Sequence, residues 1–267
     1  MQLGAAGPLL QVSEQLLFQL LLSGLGMGFI FALIAIGLTL IYGVMDVVNF
    51  AHGEFLMIAM YASYLSYRTW GLDPLVTLPF VAVAMFVFGV LVYFVLIRRV
   101  QEATQPATLF DPLGLMVFLQ ALAQFVMGAD YFSIPNAALS GVVNIGSLML
   151  PKPQLAAIVG ASIATALLYA LVFHTRTGRM LRAAAQDRQA AATLGINVDR
   201  MYALAWGIGA ACAGIAGSLL SNFYPVFPRI GAVFVLLAYV VVALGGFGSI
   251  HGALLALCVR RLAAQPL

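Results

Sequence analysis

Residues 15–45 read QLLFQLLLSGLGMGFIFALIAIGLTLIYGVM, without a single Asp, Glu, Lys or Arg. Roughly 20 apolar residues cross the hydrocarbon of a bilayer, and an Asp, Lys or Arg at mid-helix costs about 2.5–3.5 kcal/mol on insertion scales. The run is therefore long enough, and apolar enough, to span. Further charge-free runs follow at Phe55–Tyr67, Pro74–Ile97, Pro112–Ala129, Pro153–Thr175, Met201–Pro228 and Gly231–Val259. Phe55–Tyr67 is short and has to borrow residues from the Ala51–Glu54 side. Gly231–Val259 is interrupted by Gly245-Gly246-Phe247-Gly248-Ser249-Ile250-His251-Gly252, in which Gly245, Gly246, Gly248 and Gly252 weaken a continuous helix. Tyr131–Pro151 is also uncharged, but its Pro135, Asn136 and Asn144 read as a loop or a re-entrant surface segment. No strand alternation recurs in the manner of a membrane barrel. The expected fold is all-α: a polytopic transmembrane bundle of about seven spans, one or two of them broken, with a short cytoplasmic helix. It occupies residues 1–267 as one domain.

Composition agrees. Across 267 residues, 63% are hydrophobic and 8% charged, with a mean hydropathy of +1.06. A soluble domain carries about 25% charged residues to cover its core, so a soluble enzyme is excluded. The net charge of +3 invites a nucleic-acid reading, which fails on position. The segment His174–Arg200 alone holds five Arg and two Asp, and the basic and acidic residues elsewhere cancel. A basic loop on a membrane protein is an orientation signal. Arg98 and Arg99 after the third span fall on the same side as that loop if the N-terminus is outside, leaving Arg68, Lys152 and Arg229 opposite. The topology expected is N-out. Cys212 and Cys258 both sit in apolar runs and form no disulfide or metal spacing.

Small residues mark close helix packing. Gly24 and Gly28 form one pair, and Gly207, Ala211, Gly214, Ser218 and Ser221 recur at four-and-three spacing. Such a seam holds one chain together or joins two subunits.

Three segments stand out from the bundle. In the first, Asp46, Asn49, His52 and Glu54 stand between apolar flanks, with Gly43 and Gly53 allowing the helix to break. Broken helices in transporters turn backbone polar groups toward a cavity. The alternative is a plain cytoplasmic turn with these side chains in water. His52 and Glu54 have no further ligand set for a metal. In the second segment, Thr175–Asn197, Gly178 is expected to break the chain after the fifth span; an Ala-rich stretch follows, with Gly195 where a C-terminal cap belongs, and a helix over Leu181–Leu194 either enters a partner's groove or lies on the headgroups. In the third, Gly245–Gly252, the Gly-x-Gly follows an apolar helix without a βαβ unit, so it is a helix break and not a nucleotide cradle. No Walker sequence, nucleophile elbow or carboxylate pair occurs, and the chain shows no chemistry of its own.

Together these residues resemble the permease subunits of bacterial branched-chain amino acid ABC importers. The resemblance runs through Gly37-Leu38-Thr39-Leu40-Ile41-Tyr42-Gly43, Asn49-Phe50-Ala51-His52-Gly53-Glu54, Thr175-Arg176-Thr177-Gly178-Arg179, Ala190-Ala191-Ala192-Thr193-Leu194-Gly195-Ile196-Asn197 and the glycine segment at 245–252, covering about Phe18 to Ala256. It implies a multi-pass protein of the bacterial inner membrane, non-catalytic itself. Its implied partners are a second and usually different permease chain, two cytoplasmic ATPase subunits that use ATP and Mg, a periplasmic substrate-binding protein and membrane lipid. No cofactor is bound by the chain itself. It implies a coupling loop at about 174–200, with Arg179, Arg182, Asp187, Gln189, Ala190, Ala191 and Gly195 toward the ATPase, Gln189 replacing the family's usual acid. The translocation pathway is then expected at Gly43, Asp46, Asn49, Phe50, His52, Gly53 and Glu54. Related permeases carry urea, short amides or other amino acids. A secondary transporter or channel is the rival, but charge-free spans lack its usual coupling group. Family members continue past the glycine segment with another full span, so the ending Arg260–Leu267 is read as an incomplete last helix.

Overall fold

The computed structural model describes residues 14–100, 105–135, 141–145 and 148–245. The long helices are α1 (Glu14–Met45), α2 (His52–Trp70), α3 (Pro74–Val92), α5 (Gln105–Met127), α6 (Lys152–His174), α9 (Val198–Leu220) and α10 (Ile230–Gly245). They coincide with the charge-free runs. Five carry stretches long and apolar enough to cross a membrane by length and composition: Gly26–Met45, Pro74–Val100, Phe110–Met127, Lys152–His174 and Val198–Leu220. The third of the seven extends past α3 through a π-helical turn, Tyr93–Ile97, into α4 (Arg98–Val100). As expected, α2 reaches its length by taking in His52–Glu54.

α9 is the central post. Its apolar window is 83% buried, against 22% for α5, and it packs on α1, α2, α3 and α6. The small-residue seam explains the closeness. A Cβ on Gly207 would meet Phe86 and Val90 of α3, and one on Gly217 would meet the Leu56 carbonyl of α2. Ser218 accepts a 3.0 Å hydrogen bond from Ser63 across the α2–α9 contact. This seam therefore holds one chain together. Trp206, fully buried, packs edge-on against Phe55 (6.1 Å between centroids) and points its Nε1 at Met45 Sδ, 3.2 Å away. Outward, α3 shows Val76, Phe80, Val83, Val87 and Leu91, and α6 shows Val159, Ile163 and Leu167. In a bilayer these meet lipid tails.

The two ends of the bundle are tied separately. At one end Arg98 pairs with Asp199 at 3.0 Å, joining the start of α4 to the start of α9. At the other, Phe132 and Val226 exchange backbone hydrogen bonds of 3.0 and 2.8 Å. Within segment 131–151, read from sequence as a loop or a re-entrant surface segment, two short stretches are strands. They form an antiparallel pair, β1 (Val142–Ile145) with β2 (Leu148–Pro151), in which Ile145 pairs with Leu148.

Candidate functional site

The helix break lies between α1 and α2, and aspartate makes it rather than glycine. α1 continues through Gly43 to Met45, and Asp46 then adopts φ +54°, the one positive φ among the described non-glycine residues. Asp tolerates the left-handed region better than most residues because its short side chain can bond locally. Asp46 N–H donates to the Tyr42 carbonyl at 2.7 Å, closing α1. Asp46 itself is exposed. The expected role of Gly53 is corrected as well. It lies in the first turn of α2, facing Gly231 of α10 backbone to backbone, where a Cβ on either would overlap the other's carbonyl. Gly53 thus permits a close crossing, and the chain breaks before it.

Asn49, His52 and Glu54 are fully buried, so the reading of a solvated turn fails. His52 and Glu54 part company. His52 Nε2 lies 3.2 Å from the Ile34 carbonyl of α1, and because a carbonyl only accepts, Nε2 is the donor. Glu54 turns instead toward α5, where Gln120 Nε2 donates to its Oε1 at 2.8 Å. The Ile34 contact places the start of α2 well inside the bundle, beside the middle of α1 and not at its end. Phe50 rests against Tyr239 of α10, 5.4 Å between centroids.

Several polar atoms here have no partner among the described residues: both amide atoms of Asn49, His52 Nδ1, Glu54 Oε2, Thr39 Oγ1 and Tyr239 Oη. A buried polar group without a partner loses its hydration for nothing, at about 1–3 kcal/mol. Such groups are few in native proteins and call for a cause, of which an absent ligand is one. The sequence reading passed over Gln120, whose one signal was an amide within an apolar run. Gly231 and Tyr239 carried no signal that would have joined them to Gly53 and Phe50.

The second site follows α6. α6 ends at His174 and Thr175 caps the next helix, its Oγ1 accepting from Gly178 N–H at 3.0 Å. Gly178 does not break the chain, as the sequence suggested; it is buried within α7 (Arg176–Gln186), where a Cβ would strike the Leu171 and Val172 carbonyls. The single helix expected over Leu181–Leu194 is two helices. Asp187 leaves helical geometry (φ −154°, ψ +108°) and caps α8 (Arg188–Thr193), its Oδ1 accepting from Gln189 and Ala190 N–H at 2.8 and 3.0 Å. An N-capping Asp stops one helix by starting the next. Gly195 has φ +80°, as its position predicted, and Ile196 N–H reaches back to the Ala191 carbonyl at 3.1 Å.

α7 buries Leu181 and Ala184 against the bundle and touches α1, α6 and α9. Arg179, Arg182, Asp187, Gln189, Ala190 and Gly195 are exposed, whereas Ala191 is 2% exposed and packs inward. Leu194 is 79% exposed. Of the predicted helix break at Gly245, Gly246, Gly248 and Gly252, only Gly245 is described, as the last residue of α10; the others and Arg260–Leu267 lie outside the described residues.

Among the described residues, seven long apolar helices with a polar break between two of them and a two-helix surface loop have the make-up of a multi-pass membrane protein. Residues 20–265 match the family described as branched-chain amino acid transport system / permease component, and the chain belongs to that family. It is 34% identical over 260 residues to the high-affinity branched-chain amino acid transport system permease protein LivH of Escherichia coli (strain K12), covering 91% of this chain and 84% of that protein. It is 31% identical to the corresponding protein BraD of Pseudomonas aeruginosa, over 89% of this chain and 81% of that one. No solved structure matches. The chain is a permease subunit of an ABC transport system.

Proposed function

We propose that the chain is one of two permease subunits of an ATP-driven importer of the bacterial inner membrane. Its solute is a branched-chain amino acid, handed over by a periplasmic binding protein. The second permease is a different chain, and two cytoplasmic ATPase subunits bind and hydrolyse Mg-ATP. The N-terminus is periplasmic, which puts Arg98, Arg99 and the α7–α8 loop in the cytoplasm.

One observation carries the pathway reading. Asn49 is fully buried at the α1–α2 break, yet both its amide atoms are without a partner among the described residues. An amide there offers a donor and an acceptor together, which suits a zwitterion with its ammonium and carboxylate. The break is also where α1 and α2 can change their relative angle, because residues 46–51 are the non-helical link between them. With α8 as the part that meets the ATPase, a push on it passes to α7, which packs on both α1 and α9.

The test is co-purification with tagged ATPase subunits, followed by reconstitution in liposomes with loaded binding protein. ATP hydrolysis stimulated by leucine-loaded binding protein, with leucine accumulating inside, is the expected result. Solute uptake that needs no ATPase would make the chain a secondary transporter, and uptake of urea without leucine would move it to the amide-carrying relatives.

A further inference from the structure

The break at Asp187 divides the surface loop into two helices with different surroundings. α8 projects Gln189, Ala190, Ala192 and Leu194 outward. α7 lies against the end of α6 and carries Arg176, Arg179 and Arg182, all exposed. Among the described residues these three have no carboxylate within ion-pair reach; the salt bridge there is that between Arg98 and Asp199, elsewhere at this end of the bundle. Three like charges spaced three residues apart on one short helix repel one another unless an anion lies between them.

Arg182 shows where that anion would sit. Its guanidinium lies over the Phe173 ring, 5.0 Å from the centroid, and Phe173 packs on Tyr169 at 4.5 Å one turn deeper in α6. Aromatic rings one turn from the end of a spanning helix mark the headgroup level of the bilayer. Above them on α6 the large exposed residues are Leu167, Ile163 and Val159, apolar side chains leading away from the basic cluster. A basic cluster at headgroup depth, followed by exposed apolar side chains, has the shape and charge of an anionic phospholipid: phosphate on the guanidinium groups, acyl chain along α6. Guanidinium groups bind phosphate with paired N–H donors, a geometry ammonium lacks.

We propose that α7 is a lipid-binding helix, in which Arg176, Arg179 and Arg182 hold the phosphate of an anionic phospholipid of the adjacent leaflet, while docking on the ATPase is left to α8. Of the arginines assigned to ATPase coupling from sequence, Arg179 and Arg182 thereby change partner. The proposal rests on the chain being a membrane permease, but its readout is lipid retention, which can fail or succeed whether or not leucine is transported.

The complex is purified from membranes in mild detergent, exchanged into phosphatidylcholine nanodiscs with and without phosphatidylglycerol, and phosphatidylglycerol retained per complex is measured by native mass spectrometry. Each arginine near an anionic surface contributes about fivefold in binding, so Arg176→Gln, Arg179→Gln and Arg182→Gln combined should weaken phosphatidylglycerol retention about a hundredfold. The corresponding three Lys replacements keep the charge and should restore most of it. Gln189→Ala with Leu194→Ala in α8 should leave retention at the parent level. Retention undiminished in the triple Gln variant overturns the proposal, and if that variant at the same time sheds its ATPase subunits, the arginines belong to the ATPase interface instead.

Discussion

At the scale of single residues, the close crossing of α2 and α10 depends on two glycines, and backbone freedom is not the reason. Gly53 and Gly231 let α2 and α10 cross with their backbones in contact, and Glu54 Cδ would lie 2.9 Å from a Cβ on Gly231. Gly53→Val therefore forces the helices apart at the start of α2. Overpacking of this kind costs about 1–3 kcal/mol, and here the two nearest atoms are backbone and cannot rotate away. The expected outcome is a lower melting temperature for the detergent-purified complex and loss of the Glu54–Gln120 contact. A thermal-shift scan indistinguishable from the parent's would show that α2 and α10 are not packed this closely. Sequence inspection singled out Gly53 but misjudged its work, because the partner, Gly231, is distant in the chain and only the tertiary crossing joins them.

At the scale of elements, the helices were legible and the interruptions only partly so. Long charge-free runs identify spans because an ion in hydrocarbon is so costly, and α1, α3, α6 and α9 follow their runs closely. The interruptions are decided by finer effects. Asp187 reads in sequence as an ordinary polar residue in an Ala-rich helix; that it caps α8 becomes visible only when its Oδ1 is seen on Gln189 and Ala190 N–H. Gly195 was legible, since a left-handed residue after a helix is a glycine's place. Gly195→Val should insert normally, because nothing lies within 4 Å of a Cβ there. It would meet backbone strain of about 1–3 kcal/mol at φ +80° and tilt the end of α8. The expected phenotype is weakened ATPase association and poor stimulation of ATP hydrolysis by loaded binding protein. A variant that assembles and hydrolyses like the parent would remove α8 from the coupling role.

At the scale of the whole molecule, orientation and transport remain to be measured together. With the N-terminus outside, Gln189→Cys on α8 should resist impermeant thiol reagents in intact cells, while Asp130→Cys beyond α5 should react; the reverse labelling inverts the topology. Burial adds a consequence that sequence alone could not supply. Placing Asn49 beside an open turn would have made it ordinary; the folded chain instead buries it, with no partner for its amide among the described residues. Replacing an unpartnered buried amide by an apolar side chain of similar size removes a desolvation penalty and breaks no internal hydrogen bond. Asn49→Leu should thus leave the complex as stable as the parent or more so. The decisive measurement is leucine uptake by proteoliposomes containing that variant with its ATPase subunits and loaded binding protein. If the break is the translocation element, uptake falls about tenfold, the worth of one lost hydrogen bond to the solute, in a complex whose assembly and melting temperature are undiminished. Uptake at the parent rate in that stable complex would contradict the account and return the α1–α2 break to a purely structural turn.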